Sequence, residues 1–202
     1  MNIECTLSLL RREGILLDHA PHSAQFRNLT TCLLGAFSAA GAIPALSAQD
    51  ARLYSTLAPL HDVGKRAIPS EILNKPGRLT REEFEVMKTH TVQGCELLER
   101  IPALKGDEAS PLICDVCRHH HERWDGTGYP DQLAGQDIAP WVQVVGLADA
   151  FDALLHPRVY KPAFPVGQAI DMIMGGACGA FDPVMLLCFR QSIGYISHVV
   201  YA

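Results

Sequence analysis

The sequence predicts an all-α fold in one domain. Apolar residues recur at helical spacing along most of the chain, and no alternating strand pattern is found. Capping signals mark two helix starts, at Ser47 with Asp50 and at Thr80 with Glu83. A chain of 202 residues that is 48% hydrophobic fits one domain with a sizeable core.

The first strongly predicted helix starts at Pro21, a residue suited to a first helical turn, and ends before Gly41. The next helix follows Ser47. We expect it to continue without interruption to Gly64, which would place His61 and Asp62 at its end. Residues 65–79 contain two prolines and a glycine and predict an irregular connection.

The helix after Thr80 is expected to present one inward stripe, with His90 on or beside it. The stripe consists of Phe84, Met87, Thr91 and Leu98. Another helix starts near Ser110 and breaks at DGTGYP, and the apolar stretch APWVQVVGLADAFDALL predicts a buried helix. A final helical pair is separated by GGACGAFDP.

Composition excludes some classes of function and location. A net charge of −5 is unsuited to nonspecific binding of DNA or RNA, which needs a basic face. The start of the chain lacks the order of a signal peptide, and the uncharged stretch 28–49 is too polar for a bilayer. We therefore expect a cytoplasmic protein without a membrane partner.

Seven cysteines without a framework pattern predict reduced thiols. Cys114 and Cys117 form a single CxxC pair, which is weak support for zinc and equally the product of one helix face. We interpret this pair as structural.

Histidines and aspartates near helix ends or on apolar faces form the candidate site. They are His22, His61, Asp62, His90, His120, His121 and Asp149. A lone histidine of this kind is usually structural, and the adjacent His61 and Asp62 could simply share a hydrogen bond. Burying all of these groups would be costly unless a cation compensates them. Imidazole with carboxylate suits iron, manganese or zinc.

Four motifs, in order and spacing, resemble those of HD-GYP proteins, a branch of the HD superfamily of metal-dependent phosphohydrolases. They are HDVGK at 61–65, KTHT at 88–91, HHERWDGTGYP at 120–130 and LADAFDAL at 147–154. The similarity spans about residues 18–190. It implies a single-domain helical bundle with a metal site in its core, over residues 18–202, preceded by a lead-in helix over 1–17.

The resemblance assigns roles to individual residues. Asp62 would bridge two metal ions, and the other six candidate residues would be further metal ligands. Lys65 would face the scissile phosphate. Tyr129 and Gly128 of the GYP segment would contact substrate, and Arg158 with Lys161 would grip phosphate.

The number of metal ions remains open. Relatives with a third ion carry a glutamate four residues before the first-helix histidine, and here the shorter Asp18 stands in that place. Pro21 disfavours a helical conformation just before it, so Asp18 and His22 need not share a face. The resemblance thus implies two or three non-haem iron or manganese ions.

The implied function is hydrolysis of cyclic di-GMP, or a related cyclic dinucleotide, to the linear dinucleotide or onward to GMP. Asp62 and Lys65 are the catalytic candidates. Two alternatives are kept: a cyclic-dinucleotide receptor with little turnover, and an HD-type phosphohydrolase acting on mononucleotides. The resemblance also implies contact with a diguanylate cyclase domain through the surface around the GYP loop, and a homodimer is left open.

Overall fold

The computed structural model describes residues 3–15, 21–157 and 162–201, and over these residues the protein is helical and contains no β-strand. The helices are α1 (Ile3–Arg12), α2 (Pro21–Ala39), α3 (Ala48–Leu57), α4 (Ser70–Leu73), α5 (Arg81–Lys88), α6 (His90–Glu99), α7 (Ser110–His119), α8 (Pro140–Leu155), α9 (Val166–Met174) and α10 (Pro183–Tyr201). Three short 3₁₀ segments accompany them, Ala58–Ala67, Pro102–Leu104 and Gly135–Asp137. The predicted all-α fold is confirmed.

Helix α8 is the central element. Eleven of its sixteen residues are buried, as its apolar sequence predicts. It packs against α2 and α9, and α10 in turn packs against α2, so that these helices enclose the larger hydrophobic core. Phe37, Phe151 and Phe189 are the largest side chains wholly buried there.

A second, smaller core lies beneath α1, the 3₁₀ segment Ala58–Ala67, α6 and α7. Leu10, Leu60 and Ile113 are buried in it. Thr6 of α1 donates a hydrogen bond of 2.7 Å from Oγ1 to Asp107 Oδ2, which holds α1 against the turn before α7. Most candidate site residues lie on the 3₁₀ segment, α6, the end of α7 and α8, and His22 lies near the start of α2.

Both predicted capping boxes form. Ser47 Oγ accepts from the Asp50 main-chain N–H, and Thr80 Oγ1 accepts from that of Glu83. The acidic side chain accepts in return from the main-chain N–H of the cap residue. Two unpaired N–H groups at each helix start are thereby satisfied.

The expected continuous helix up to Gly64 is wrong. Helix α3 ends at Leu57, and residues Ala58–Ala67 continue as a 3₁₀ segment with Pro59 in its first turn. Proline has no N–H to donate to the preceding helical turn and its ring crowds that turn, so the α-helix cannot pass through it without distortion. In the 3₁₀ geometry residues three apart eclipse, which puts Asp62 and Lys65 on one side.

The expected inward stripe after Thr80 is also wrong in part. The helix divides at Thr89 into α5 and α6, and Phe84 on α5 is 46% exposed. Helix α5 contains no buried residue, whereas His90, Thr91 and Leu98 of α6 are buried. The half before the break at Thr89 is therefore largely exposed, and only the half after it is buried, so the two halves do not share one buried face.

The expectation of seven reduced thiols is contradicted at two positions. Cys95 on α6 and Cys114 on α7 are paired as a disulfide. The CxxC pair does not act as a unit, because Cys117 is a free, buried thiol that donates to the carbonyl oxygen of Leu60. In the part of the chain that the structure describes, no helix is both long and apolar enough to span a bilayer.

The site depends on a close backbone approach at Gly64. A Cβ atom built there would overlap the His90 carbonyl oxygen and the Gly94 main-chain nitrogen. We predict that Gly64→Ala lowers the free energy of unfolding by about 1–3 kcal/mol or more, as overpacking does. Urea unfolding measures this change.

Gly35 provides the matched control for that substitution. It lies inside α2 with open space where a Cβ would be. Gly35→Ala should therefore raise stability by roughly 0.5–1 kcal/mol, the usual gain of alanine over glycine within a helix. Equal stability of the two variants would show that the 3₁₀ segment and α6 are not packed backbone to backbone.

Candidate metal centre

Three imidazoles converge on the carboxylate of Asp62. His61 Nε2 lies 3.2 Å from Asp62 Oδ2. On the other oxygen, Oδ1, His90 Nε2 approaches to 3.4 Å and His120 Nε2 to 3.9 Å. All three histidines are buried, and they come from the 3₁₀ segment, the start of α6 and the end of α7. Groups more than fifty residues apart in the sequence therefore meet at one carboxylate.

Main-chain carbonyls fix the orientation of these rings. His61 Nδ1 lies 2.8 Å from the Ala58 oxygen, and His90 Nδ1 lies 2.7 Å from the Met87 oxygen. His120 Nδ1 lies 3.0 Å from the carbonyl oxygen of Val116 and equally from that of Cys117. A carbonyl only accepts, so each Nδ1 carries a proton, and the Nε2 atoms of the neutral His90 and His120 present their lone pairs to the centre. Ring orientation by such a partner is typical of metal-ligating histidines.

No proton lies between the ligand atoms that face one another here, and a bound cation would satisfy their lone pairs. The Nε2 atoms of His90 and His120 are only 3.3 Å apart. Burial lowers the pKa of both rings, so both are neutral and two lone pairs face each other. Asp62 Oδ1 is buried beside them without a hydrogen-bond partner among the described residues. The donor set therefore fits a divalent cation held by imidazole nitrogen and carboxylate oxygen.

Asp149 and His121 complete the group. Asp149, on α8, places Oδ1 3.6 Å from His61 Nε2. The His121 ring lies 4.1 Å from the His120 ring and 5.2 Å from the His90 ring, centroid to centroid. His90, His120 and His121 present ligand atoms close enough for one ion, and His61, Asp62 and His120 form a second such group.

The carboxylates shape the electrostatics of the centre. Burial disfavours a charged His61, yet Asp62 and Asp149 outweigh burial and raise its pKa to about 10. Burial opposes ionisation of Asp62 and Asp149 too, but the neighbouring His61 holds the pKa of each below its ordinary value. Burial lowers the pKa of His121 to about 3. The centre thus combines the anionic carboxylates of Asp62 and Asp149 with the neutral imidazoles of His90, His120 and His121.

Lys65 lies at the edge of this centre. Its Nζ donates to Asp62 Oδ2 at 2.5 Å, and its side chain is partly exposed. The 3₁₀ segment produces this contact, because residues three apart lie on the same side. An ammonium group at that place is positioned to meet an anionic ligand that approaches Asp62.

His22 lies in a neighbouring group. Its Nε2 is 3.7 Å from Asp152 Oδ2, and His156 Nδ1 is 3.3 Å from the same oxygen. These three residues could hold a further ion. Tyr201 donates from its hydroxyl to Asp152 Oδ1 at 2.6 Å, so the last helix orients this carboxylate. The role of His22 as a ligand stays a prediction, and its described partners are Asp152 and His156.

Asp152 and His156 join His22 in this group of possible ligands, and the sequence interpretation missed both of them. Asp152 follows Asp149 by three positions, a spacing that places both on one face of α8. That signal was present inside the LADAFDAL motif. His156 follows Asp152 by four positions, just after the helix ends. Asp18, Arg158 and Lys161 lie outside the described residues.

The GYP loop forms one wall of the centre. The Tyr129 ring lies 4.8 Å from the His121 ring, centroid to centroid. A cavity of about 630 Å³ opens beside them, lined also by Phe84, Lys88 and Gly128. A Cβ at Gly128 would overlap the backbone of residues 122–123, so the glycine allows the loop to fold back onto the end of α7. The contact of Gly128 is with the protein's own backbone, and substrate contact there stays a prediction.

Two further residues stabilise the end of α7. His119 makes ion pairs with Asp115 at 2.7 Å and with Asp131 at 3.0 Å. The guanidinium of Arg123 donates to the Cys178 and His120 carbonyl oxygens at 2.9 and 3.3 Å. Arg123 thereby fixes the backbone that carries His120, a role that the sequence did not reveal.

Known proteins with similar sequences share this domain. A family model described as "HD domain" matches residues 13–185. A cyclic di-GMP phosphodiesterase of Vibrio cholerae is 46% identical over 138 residues, which cover 68% of this chain and 28% of that protein. The cyclic di-GMP phosphodiesterase response regulator RpfG of Xanthomonas campestris is 41% identical over 138 residues, covering 68% and 35%. The 3'3'-cGAMP-specific phosphodiesterase 2 of Vibrio cholerae is 37% identical over 141 residues, covering 70% and 26%.

A solved structure shares the fold. An HDG"Y"P protein from Bdellovibrio bacteriovorus superposes with a TM-score of 0.62 at 19% identity, over 85% of this chain and 52% of that chain. The chain spans only about a quarter to a third of the length of the curated relatives named above.

The convergence on Asp62 generates a prediction about metal content. Asp62→Asn should lower metal affinity by more than the roughly 10–100-fold that follows the loss of an outer partner, because a ligand itself is replaced. Elemental analysis after dialysis against a weak chelator measures the retained ions. Asp171→Asn, an exposed position on α9, is the control and should retain metal like the wild type. Equal retention by the Asp62 variant would contradict the proposed centre.

Proposed function

Since the chain belongs to the HD domain family, we propose that it is a metal-dependent phosphodiesterase that hydrolyses cyclic di-GMP or a related cyclic dinucleotide. The predicted HD domain is confirmed by the family model, and the cyclic di-GMP phosphodiesterases among the relatives support the HD-GYP branch that the four motifs indicate. One observation carries the proposal: the Nε2 atoms of the neutral His90 and His120 face each other and the unpartnered Oδ1 oxygen of Asp62. The names of the similar proteins support the substrate class.

Two divalent ions are proposed for the centre. His61 and Asp149 would hold one, while His90, His120 and His121 would hold the other. Asp62 would bridge them, since its two oxygens face the two groups separately. Nitrogen and oxygen donors without sulfur suit iron or manganese. Such ions acidify water and neutralise charge on phosphoryl oxygens when bound.

The protein's own residues would orient the substrate and supply a proton. Lys65, held on Asp62, is placed to stabilise the phosphate or to protonate the leaving 3′ oxygen. Tyr129 and the cavity beside it offer a wall for a guanine ring. Arg158 and Lys161 remain predicted phosphate contacts.

A third ion would bind at His22, Asp152 and His156. The carboxylate of Asp152 is buried, oriented by Tyr201 and flanked by two imidazoles. In family terms two ions favour a linear dinucleotide as product, and a third favours continuation to GMP. We expect Asp152→Asn to lower the metal content by one ion per chain while the other two are retained, measured by elemental analysis. A content unchanged from the wild type would contradict the third site.

Turnover separates the enzyme from the alternative of a receptor. The full chain, purified anaerobically and loaded with manganese or iron, is incubated with cyclic di-GMP and with 3'3'-cGAMP, and products are followed chromatographically. We expect linear dinucleotide or mononucleotide to accumulate with time. Tight binding without product would identify a receptor, and cleavage of mononucleotides alone would identify a different HD-type phosphohydrolase.

Lys65→Ala tests the proposed proton donor. It should lower kcat by roughly 100- to 10,000-fold, the usual contribution of general acid catalysis, with metal content unchanged. The exposed Lys105→Ala is the control and should turn over like the wild type. Wild-type kcat in the Lys65 variant would exclude a role at the leaving group.

Contacts with other proteins remain proposals. The exposed Phe84 and the GYP loop share one cavity, so a diguanylate cyclase domain that docks on this surface would also cover the entrance beside Tyr129. A homodimer likewise stays a prediction.

A further inference from the structure

Cys95 and Cys114 lie at a junction between two helices that carry the candidate metal ligands. Cys95 is on α6 and Cys114 on α7, and their Cα atoms are 4.7 Å apart. This separation is within the usual range for a disulfide, so the two main chains need no movement to permit the bond. Among the described residues, the thiols of Cys32, Cys117 and Cys188 form no disulfide.

The pair is accessible to small molecules. Cys95 is 7% exposed, whereas Cys114 is partly exposed. Both line a cavity of about 620 Å³ whose wall also includes Leu104 and Lys105. None of the residues that line this cavity lines the cavity beside Tyr129 or the one beside His22. A reagent that enters here would therefore reach the thiols without entering the candidate metal centre.

The two helices connect the thiol pair to the centre. His90 opens α6 five residues before Cys95, and His120 follows Cys114 by six residues at the end of α7. A covalent link between Cys95 and Cys114 would thus hold together the helices that present His90, His120 and His121. Without the link, packing between α6 and α7 remains to hold these helices together.

We propose that Cys95 and Cys114 form a reversible thiol–disulfide site that reacts with small disulfides and dithiols, and that the oxidised form holds the metal-ligating helices in register. The site is separate from the proposed hydrolytic activity and takes a different class of reactant. Its influence on metal retention rests on the proposed metal centre, but its oxidation does not.

The exchange chemistry balances with a small disulfide as the oxidant. Cys114, the more exposed thiol, attacks one sulfur of the reagent as a thiolate, and the first small thiol leaves with the proton that Cys114 lost. Cys95 then attacks the Cys114 sulfur and displaces the second small thiol. Glu99 Oε1, 3.8 Å from Cys95 Sγ, is placed to take the Cys95 proton and pass it on. Two protein thiols are oxidised to one disulfide, and the small disulfide is reduced to two thiols.

The first test counts thiols in the folded chain. The manganese-loaded protein is incubated with oxidised or reduced glutathione, alkylated and digested, and peptides are identified by mass spectrometry. We expect oxidised glutathione to protect two thiols and to produce one cross-linked peptide pair containing Cys95 and Cys114, reversible by dithiothreitol. Cys95→Ser and Cys114→Ser should each abolish it, whereas Cys32→Ser should leave it intact.

Two outcomes would overturn the site itself. Separate alkylation of Cys95 and Cys114 after oxidation would show that no bond forms. Zinc that copurifies with the reduced protein and is lost in both Cys95→Ser and Cys114→Ser would instead identify a metal site made with Glu99, whose carboxylate lies near both sulfurs.

A second measurement tests the link to the metal-ligating helices. A disulfide that closes a loop of this length should raise Tm by roughly 5–10 °C in a chain of this size. It should also slow the release of manganese to a chelator several-fold relative to the reduced form. In Cys95→Ser neither quantity should respond to glutathione. Equal Tm and equal release in the oxidised and reduced wild type would refute the proposed coupling.

Discussion

The contact between each imidazole Nδ1 and a main-chain carbonyl one turn earlier determines what the rest of the centre can do. Ala58, Met87 and Val116 supply these carbonyls to His61, His90 and His120. Each contact orients its ring and aims Nε2 inward, so the lone pairs of the neutral His90 and His120 meet at Asp62. Free rotation of these rings would leave the buried Nε2 atoms and Asp62 Oδ1 without compensation, which is costly in a low-dielectric interior.

The fold provides these contacts through the ends of helices. The 3₁₀ segment, the start of α6 and the end of α7 bring the histidines to one point, and α8 supplies Asp149 from the larger core. Gly64 permits the 3₁₀ segment to touch α6, and Arg123 fixes the backbone after α7. Both residues act by positioning main chain that carries ligands. The positions of the candidate ligands therefore depend on how the main chain packs around the centre.

The sequence was most informative where residue type alone limits the chemistry. Buried histidines and aspartates in four spaced motifs predicted the group around Asp62, and capping residues predicted two helix starts. The sequence did not predict where the backbone leaves regular α-helical geometry. Pro59 converts the expected helix end into a 3₁₀ segment, and the break at Thr89 leaves Phe84 exposed.

Pairings between distant side chains were equally hidden from the sequence. The odd number of cysteines and the absence of a disulfide framework pattern indicated reduced thiols. The packing of α6 on α7 nevertheless brings Cys95 against Cys114. The association of His22 with Asp152 and His156 depends on how α2 packs on α8, although the spacing of Asp149 and Asp152 gave a partial signal. Such contacts follow from tertiary packing, which local patterns do not encode.

X-ray absorption spectroscopy of the iron- or manganese-loaded protein tests the central claim most directly, because it reports the atoms bound to the ion independently of turnover. We expect a coordination shell of nitrogen and oxygen only, with the multiple-scattering signature of several imidazoles and a second ion about 3.5–4 Å away. A shell without imidazole, or one dominated by sulfur, would contradict the convergence of Nε2 atoms on a shared cation.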